Sequence, residues 1–358
     1  PERIQLFYLP AVAYNNYNGW MTGVILHNYS LLNKKFEFGI APMYAFKSKS
    51  VAGIATASYQ FNIYKGWFDR IVAQVSPSLF DEGLSENKKV FKGYFSIPAS
   101  LSFRVRKSQY KPYSEKYVNV THQYVHQTFS TQSNLAATNS INITQLEFAS
   151  YNYNKTDPGS YSFILERGIH YVKLYGTWNK EITLTRRKKD LSFRFFAGTF
   201  LDNTGNGGEA NFRSSAWRGT DDYSYSWLWF GRNEYDGFWA HQMQKSDGAM
   251  AAYYPVRTDH WLAALNVSVK TPVPGLRLFA DGNTFYNANK VSPGATVIRY
   301  DAGIMLSVVH DAFEIYWPLI VSKEVRDYYD LNDIKLTDRI RFVFNINKLN
   351  PVLLRKMR

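Results

Sequence analysis

The sequence predicts an all-β chain: a transmembrane, antiparallel, up-and-down β-barrel of about sixteen strands, with a long outer loop folded over or into its lumen. Three observations lead there. Apolar and polar residues alternate in segment after segment, tight and long connections alternate between the segments, and no apolar run is long enough for a membrane helix.

The alternation is plain in the last segment. Ile340, Phe342, Phe344 and Ile346 fall on one face of a strand, and Arg339, Arg341, Val343 and Asn345 on the other. In 276–286, Leu276, Leu278, Ala280, Gly282, Thr284 and Tyr286 share a face, while Arg277, Asp281 and Asn283 lie opposite beside Phe279 and Phe285. One face meets something apolar and the other something wet. Composition bears on which apolar partner it is. Aromatics make up 17% of the 358 residues, yet mean hydropathy is only −0.34, and amphipathic rings in that proportion favour strands and membrane–water interfaces.

In chain order the strands read as 5–14, 20–30, 36–46, 51–64, 70–80, 90–106, 115–130, 141–154, 160–168, 170–186, 191–201, 260–271, 276–287, 297–310, 313–322 and 337–346. Most are near the about 9–11 residues that cross a bilayer obliquely, and no helix is expected among them. Tight connections at 31–35, 65–69, 156–160, 187–190, 271–275 and 310–312 alternate with variable ones at 81–89, 131–140, 328–336 and 202–259. That rhythm is expected to be strict, with the long loops outside the cell and, for an even strand number, both termini periplasmic. The domain division is a barrel over 1–346, with 202–259 as its sixth extracellular loop, and a periplasmic tail over 347–358. Soluble sandwiches or a propeller are disfavoured: no blade-length repeat is present and the strands do not divide into two packing layers.

Aromatics gather at strand ends. Trp20, Trp67, Tyr113 and Trp317 are candidates for interfacial girdles, while Tyr223, Tyr225, Trp227 and Trp229 fit either a girdle or packing beneath a loop. Charges on strand faces are expected to point into the lumen, because Arg or Lys facing lipid at mid-depth costs about 2–4 kcal/mol. Those charges are Lys173, Glu181, Arg194, Arg277, Asp281, Arg299 and Asp301. Paired across the lumen, they would make it more plug than pore. Bases near the tight turns (Lys34 and Lys35; Arg104, Arg106 and Lys107; Arg186, Arg187, Lys188 and Lys189; Arg355, Lys356 and Arg358) suit an anionic surface or a merely solvated rim.

The absence of cysteine excludes thiol catalysis and thiolate metal sites. A net charge of +13 raises nucleic acid as a partner, but the bases are dispersed and no binding signature accompanies them, so none is expected. No signal peptide is visible at Pro1; because the chain opens on a strand, a mature or shortened product is expected. The His-Glu-x-x-His arrangement of zinc peptidases is missing. The remaining candidates for chemistry are Asp259 with His260, His241, and His310 with Asp311. Adjacent residues on a strand point to opposite faces, so neither Asp–His pair is expected to form a dyad. No enzyme activity, cofactor or metal site is expected.

Three stretches carry a family resemblance: residues 10–29 (PAVAYNNYNGWMTGVILHNY), residues 36–44 (FEFGIAPMY) followed by Lys47-Ser-Lys-Ser, and residues 339–351 (RIRFVFNINKLNP). They resemble the C-terminal barrel that Bacteroidota attach to gluzincin-type zinc aminopeptidase-like proteins, itself similar to the surface-antigen barrels of the BamA/TamA superfamily. The resemblance implies sixteen strands and a sixth outer loop that folds into the lumen on an Arg-Gly-aromatic motif. Here Arg232 and the Gly237–Phe238 pair look like a split version of that motif; the other reading is an ordinary loop arginine paired with Glu234 or Asp236.

The expected function is a non-enzymatic barrel of the bacterial outer membrane that anchors a periplasmic domain or docks a larger complex. The alternative is a BamA-like transport or assembly pore gated by the long loop and by the seam between first and last strands. The expected partners are outer-membrane lipid and lipopolysaccharide, with other outer-membrane or periplasmic proteins. In the tail, Leu349, Val352, Leu353 and Leu354 are expected to pack on the periplasmic rim or a partner.

Overall fold

Backbone dihedrals and ladders of the computed structural model place sixteen strands in one antiparallel barrel sheet. It describes residues 5–30, 34–84, 91–110, 113–130, 136–154, 158–183, 191–204, 211–233, 236–291, 295–309 and 312–345. The strands are β1 (Phe7–Asn15), β2 (Gly19–His27), β3 (Phe36–Ala45), β4 (Ser50–Asn62), β5 (Phe68–Val75 and Ser78–Leu84), β6 (Phe91–Val105), β7 (Ser114–Ser130) and β8 (Ala136–Asn152). They continue as β9 (Gly159–Arg167), β10 (Tyr171–Ile182), β11 (Leu191–Asn203), β12 (Trp261–Lys270), β13 (Leu276–Phe285), β14 (Arg299–Val309), β15 (Phe313–Val321) and β16 (Arg341–Phe344). Each pairs with the next, from Phe7↔His27 between β1 and β2 to Phe313↔Phe344 between β15 and β16. β5 is broken at Ser76–Pro77: Pro77 has no N–H for the ladder, but its carbonyl still accepts from Ala55 at 2.9 Å.

The alternation read from the sequence is an inside–outside alternation. On β13, Arg277, Phe279, Asp281, Asn283 and Phe285 are buried while Leu278 and Ala280 are exposed. Leu165, Leu174, Phe195, Leu265, Leu278 and Leu306 stand exposed on six successive strands, β9 to β14. Large apolar side chains outside and charges inside invert a soluble fold and match a lipid-facing one.

Two expectations fail here. The short–long rhythm is not strict, because the connections at 16–18, 46–49 and 168–170, at the same end of the barrel as the long loop, are also tight. Antiparallel neighbours need only a short hairpin at either end, so nothing forces an outer loop to be long. The second is the connection between β15 and β16, which contains a helix, α1 (Lys323–Leu331), and a 3-10 turn at Leu336–Arg339, so β16 is four residues long rather than the ten expected. Its signal was the 3/4 spacing of Val325, Tyr328 and Tyr329; Val325 and Tyr329 are buried against Met250, Ala252 and Tyr254.

The long loop after β11 supplies much of the interior. Its stems zip together as Phe212–Arg213 against Arg257–Thr258. From there it contributes to all four apolar clusters inside the barrel: Tyr225 joins Met21, Met43 and Tyr94; Ala216, Met243 and Ala251 join Phe279, Met305 and Val343; Phe212 joins Phe196 and Leu262; Met250 and Ala252 join Val321. The loop thus packs part of the lumen as a plug.

Candidate functional site: the lumenal plug and the strand seam

The plug is fastened at four polar points. At the first, Arg232 is buried and lies 3.6 Å from both Glu82 on β5 and Asp222, and it donates to the Asp222 carbonyl at 2.7 Å. Its guanidinium sits 4.0 Å over the Tyr225 ring. Burial works against that charge, but Asp222, Tyr225 and Glu82 outweigh it and hold Arg232 protonated more firmly than a free arginine. Asp222 is itself fixed by the Ser226 and Trp227 amides, each at 3.1 Å, and by the Trp229 indole at 2.9 Å. Gly219 lies beneath: a Cβ there would come within 2.4 Å of the Arg232 Cα.

The second point joins the plug to the β1–β2 hairpin tip. The Tyr17 hydroxyl donates to Asp236 and accepts from the Arg232 amide at 2.7 Å and the Asn233 amide at 3.0 Å. Asn16 donates its side chain to Asp236 at 2.7 Å and its amide to the Phe230 carbonyl at 2.7 Å. Burial, then the Asp236 hydrogen bond, push the Tyr17 phenol well above its ordinary range.

At the third, Lys173 of β10 and Glu166 of β9 form a buried ion pair at 3.2 Å. Glu166 also accepts from Tyr223 of the plug at 2.6 Å, Tyr171 at 2.8 Å, Tyr175 at 3.1 Å and Gln145 at 2.7 Å. At the fourth, Asp281 and Asp301 accept the amides of Ala251 and Ala252, at 3.1 and 2.5 Å. Nearby, Arg194 donates to the Asp247 carbonyl at 2.9 Å, and Lys245 of the plug pairs with Glu314 at 2.7 Å.

The seam between β1 and β16 is the sheet's irregular place. Among the described residues no ladder joins the two strands. Instead plug residues Gln242–Met243 run parallel to β16, with Gln242↔Phe342 and Met243↔Val343 as partners, and His241 lies 2.7 Å from the Ile340 carbonyl. The greasy face of β16 is covered by the same segment: Phe238 stacks on Phe342 at 5.1 Å and Phe230 meets Phe344 at 5.1 Å. Trp239 reaches Tyr14 of β1 at 5.6 Å. Beneath the plug lies a cavity of about 910 Å³, lined in part by Tyr161, Glu181, Ser192, Asp281 and Asn345.

The residues singled out from the sequence fall as follows. Lys173, Arg277, Asp281, Arg299 and Asp301 are buried on the inner face, with Arg194 and Glu181 half-buried there. Arg277 donates to Ser192 at 2.8 Å, and Arg299 to the Ala288 carbonyl at 2.5 Å. Asp236 binds the hairpin tip rather than Arg232, and Glu234 lies outside the described residues. Gly237 has φ +59, a left-handed turn that aims Phe238 at the seam, away from Arg232. Trp20, Trp67 and Tyr113 are exposed near strand ends, whereas Trp317 sits mid-β15, donating to the Leu336 carbonyl at 2.9 Å. Tyr225 and Trp229 are buried in the plug and form no girdle. His310, Asp311 and the tail residues Leu349, Val352, Leu353 and Leu354 lie outside the described residues.

One geometric expectation is wrong: Asp259 and His260 do pair, at 2.7 Å. They occupy the bend before β12, not a pleated strand, so the opposite-face rule does not apply. Both are half exposed, and the His260 ring stacks on Tyr286 at 4.0 Å. Glu82, Asp222 and the polar role of Tyr17 escaped the sequence reading because each finds its partner across the lumen or in the plug, where no spacing links them; Glu166 was missed although it faces Lys173 directly across the β9–β10 hairpin, a spacing that could have found it.

No family model matches this chain, and no curated protein matches it either. Solved structures with a similar course include CdiB from Acinetobacter baumannii, at 11% identity over 89% of this chain with a TM-score of 0.45, and BamA from Haemophilus ducreyi lacking POTRA domains 1–3, at 12% over 90% with a TM-score of 0.45. A third is the copper transporter OprC, at 7% over 86% with a TM-score of 0.36. The chain spans 57%, 68% and 56% of those three. By its own geometry it is a transmembrane-type barrel, with sixteen wall strands among the described residues and the long loop after β11 set into its lumen.

Proposed function

We propose that this chain is an integral barrel of the bacterial outer membrane, without catalysis of its own, that anchors and docks a periplasmic domain or a larger membrane complex. The observation that carries the reading is the occupied lumen: among the described residues the plug enters all four interior clusters, and its Arg232 and Lys245 are met by Glu82 and Glu314 of the wall. A lumen filled in this way makes a poor conduit and a rigid platform. Both termini then face the periplasm, and the exposed apolar band meets lipid and, in the outer leaflet, lipopolysaccharide.

Two measurements test it. In planar bilayers the purified chain is expected to give no large stable openings, and finding them overturns the plugged platform. Extraction in mild detergent followed by mass spectrometry is expected to recover the barrel with the same protein companions each time; recovery alone overturns the docking role.

A second reading, a transport or assembly pore, is favoured by one observation: among the described residues the plug, and not β1, pairs with β16 at the seam. Release of that segment would free the edge of β16, and an unpaired edge is a template for another strand.

A further inference from the structure

We propose that Arg341 anchors a phosphate-type oxyanion site between the plug and the last strand, which goes beyond the platform role. Arg341 is the inward-facing residue at the start of β16 and is 5% exposed. Its Nε and Nη2 are buried and have no hydrogen-bond partner among the described residues. Arg218 and Asp221 are charged groups close enough to act on it. Asp221 is already engaged, at 2.9 Å by Arg213, at 3.9 Å by the Arg218 guanidinium and by the Arg218 amide at 3.0 Å, so its charge is shared before it reaches Arg341.

The cation therefore stands beside other cations. Arg218 lies 3.7 Å over one side of the Tyr253 ring and Arg341 5.5 Å from it, while Arg339 lies over Tyr329 at 4.5 Å. Buried guanidinium N–H groups are normally met by an acceptor, and like charges brought together need a counter-charge. A tetrahedral oxyanion supplies both, because two adjacent N–H groups of an arginine match two oxygens of one phosphate. The rings of Tyr253 and Tyr329 lie against the guanidinium planes, and the Tyr253 hydroxyl takes one Arg218 N–H at 2.6 Å, leaving Nε and Nη2 of Arg341 to the anion. Since Arg218 belongs to the plug and Arg341 to β16, the bound anion would clip the plug to the seam strand. The phosphate could be free or belong to a lipid headgroup.

The test is calorimetric titration of the detergent-solubilised full chain with inorganic phosphate, at constant ionic strength set with chloride. Saturable binding is expected, weakened at least tenfold by Arg341→Gln and by Arg218→Gln and less by Arg341→Lys. Arg106→Gln, at a rim arginine bound to the Gly66 and Phe68 carbonyls, should leave it unchanged. Folding of each variant is checked by the mobility shift between unheated and heated gel samples. If Arg341→Gln fails that check, Arg218→Gln, in the loop, carries the test. The titration is then repeated in nanodiscs with and without lipopolysaccharide. Loss of the phosphate response only with lipopolysaccharide assigns the site to a lipid phosphate, and an unchanged response assigns it to a soluble one. Absence of saturable heat, or equal binding by the variants, overturns the proposal and leaves water as the partner of Arg341.

Discussion

Asp281 and Asp301 face each other directly across the β13–β14 ladder, and each grips one of two consecutive plug amides, Ala251 and Ala252. Asn266 also donates to Asp281, at 3.1 Å. Two buried carboxylates side by side are tolerable only while donors converge on them, so wall and plug depend on each other here. Replacing both by Ala leaves two buried amides without acceptors, at about 1–3 kcal/mol each. The expected outcome is a barrel that keeps its strands but loosens its plug. Limited trypsin digestion should cut at Arg213, Arg218 or Lys245 in the double variant and spare them in the parent; equal resistance would show that the apolar clusters hold the plug unaided.

Asp247 gives the plug a pH dependence. Burial, the largest influence, lifts its carboxyl above the usual range despite the attraction of Lys173 and the 2.7 Å hydrogen bond from Trp217. A carboxyl whose folded pKa is raised binds its proton more tightly in the folded than in the unfolded state. Folding is therefore favoured as pH falls through the raised value, and the gain is complete below the ordinary Asp range of about 4. Asp247 is expected to make the plug firmer at mildly acidic than at neutral pH. Asp247→Asn, which keeps an oxygen for Trp217 and for the Arg213 amide, should flatten the difference in protease resistance between the two conditions. An undiminished difference in the variant rules Asp247 out as its source.

The Lys173–Glu166 pair is asymmetric in its dependents. Glu166 accepts from three phenols and an amide besides the lysine, whereas Lys173 gives up one carboxylate, a hydrogen bond to the Tyr223 hydroxyl and its aromatic contacts. Breaking a buried pair typically costs about 3–5 kcal/mol. Lys173→Met is expected to fall below that range, since four donors still satisfy the carboxylate, and Glu166→Leu to reach or exceed it. Urea unfolding followed by unheated gel mobility measures the order, and the reverse order would mean that the lysine, not the carboxylate, organises the site.

Much of the barrel was legible in the sequence, because side-chain alternation reports one local fact, the facing of each residue. The inward direction of Arg277, Asp281 and Asp301 follows from the same alternation. What could not be read was local order inside the loops: the α1 turn over Val325 and Tyr329 is too short for its period to stand out. Long-range pairing was equally hidden. Nothing in the spacing of Arg232 and Glu82 announces a meeting that only closure of the barrel and entry of the plug create, and the Asp259–His260 pair was misjudged because a bend was read as a strand.

The seam offers the sharpest experiment, since the chain has no cysteine to confuse it. Met243 and Val343 are register partners in the parallel ladder between plug and β16, and both side chains enter the cluster with Phe279 and Met305. Neighbouring strand positions of this kind bring Cα atoms within the span a disulfide bridges. In the double variant Met243→Cys, Val343→Cys, mild oxidation should therefore form one internal crosslink, seen as a faster band on a non-reducing gel. Failure of the folded protein to crosslink would mean that the plug does not ride on β16. Where it forms, the crosslink also separates the two functional readings. A docking platform should retain its partners with the seam locked, whereas a pore or assembly site that works through the seam should stop when oxidised and recover when reduced.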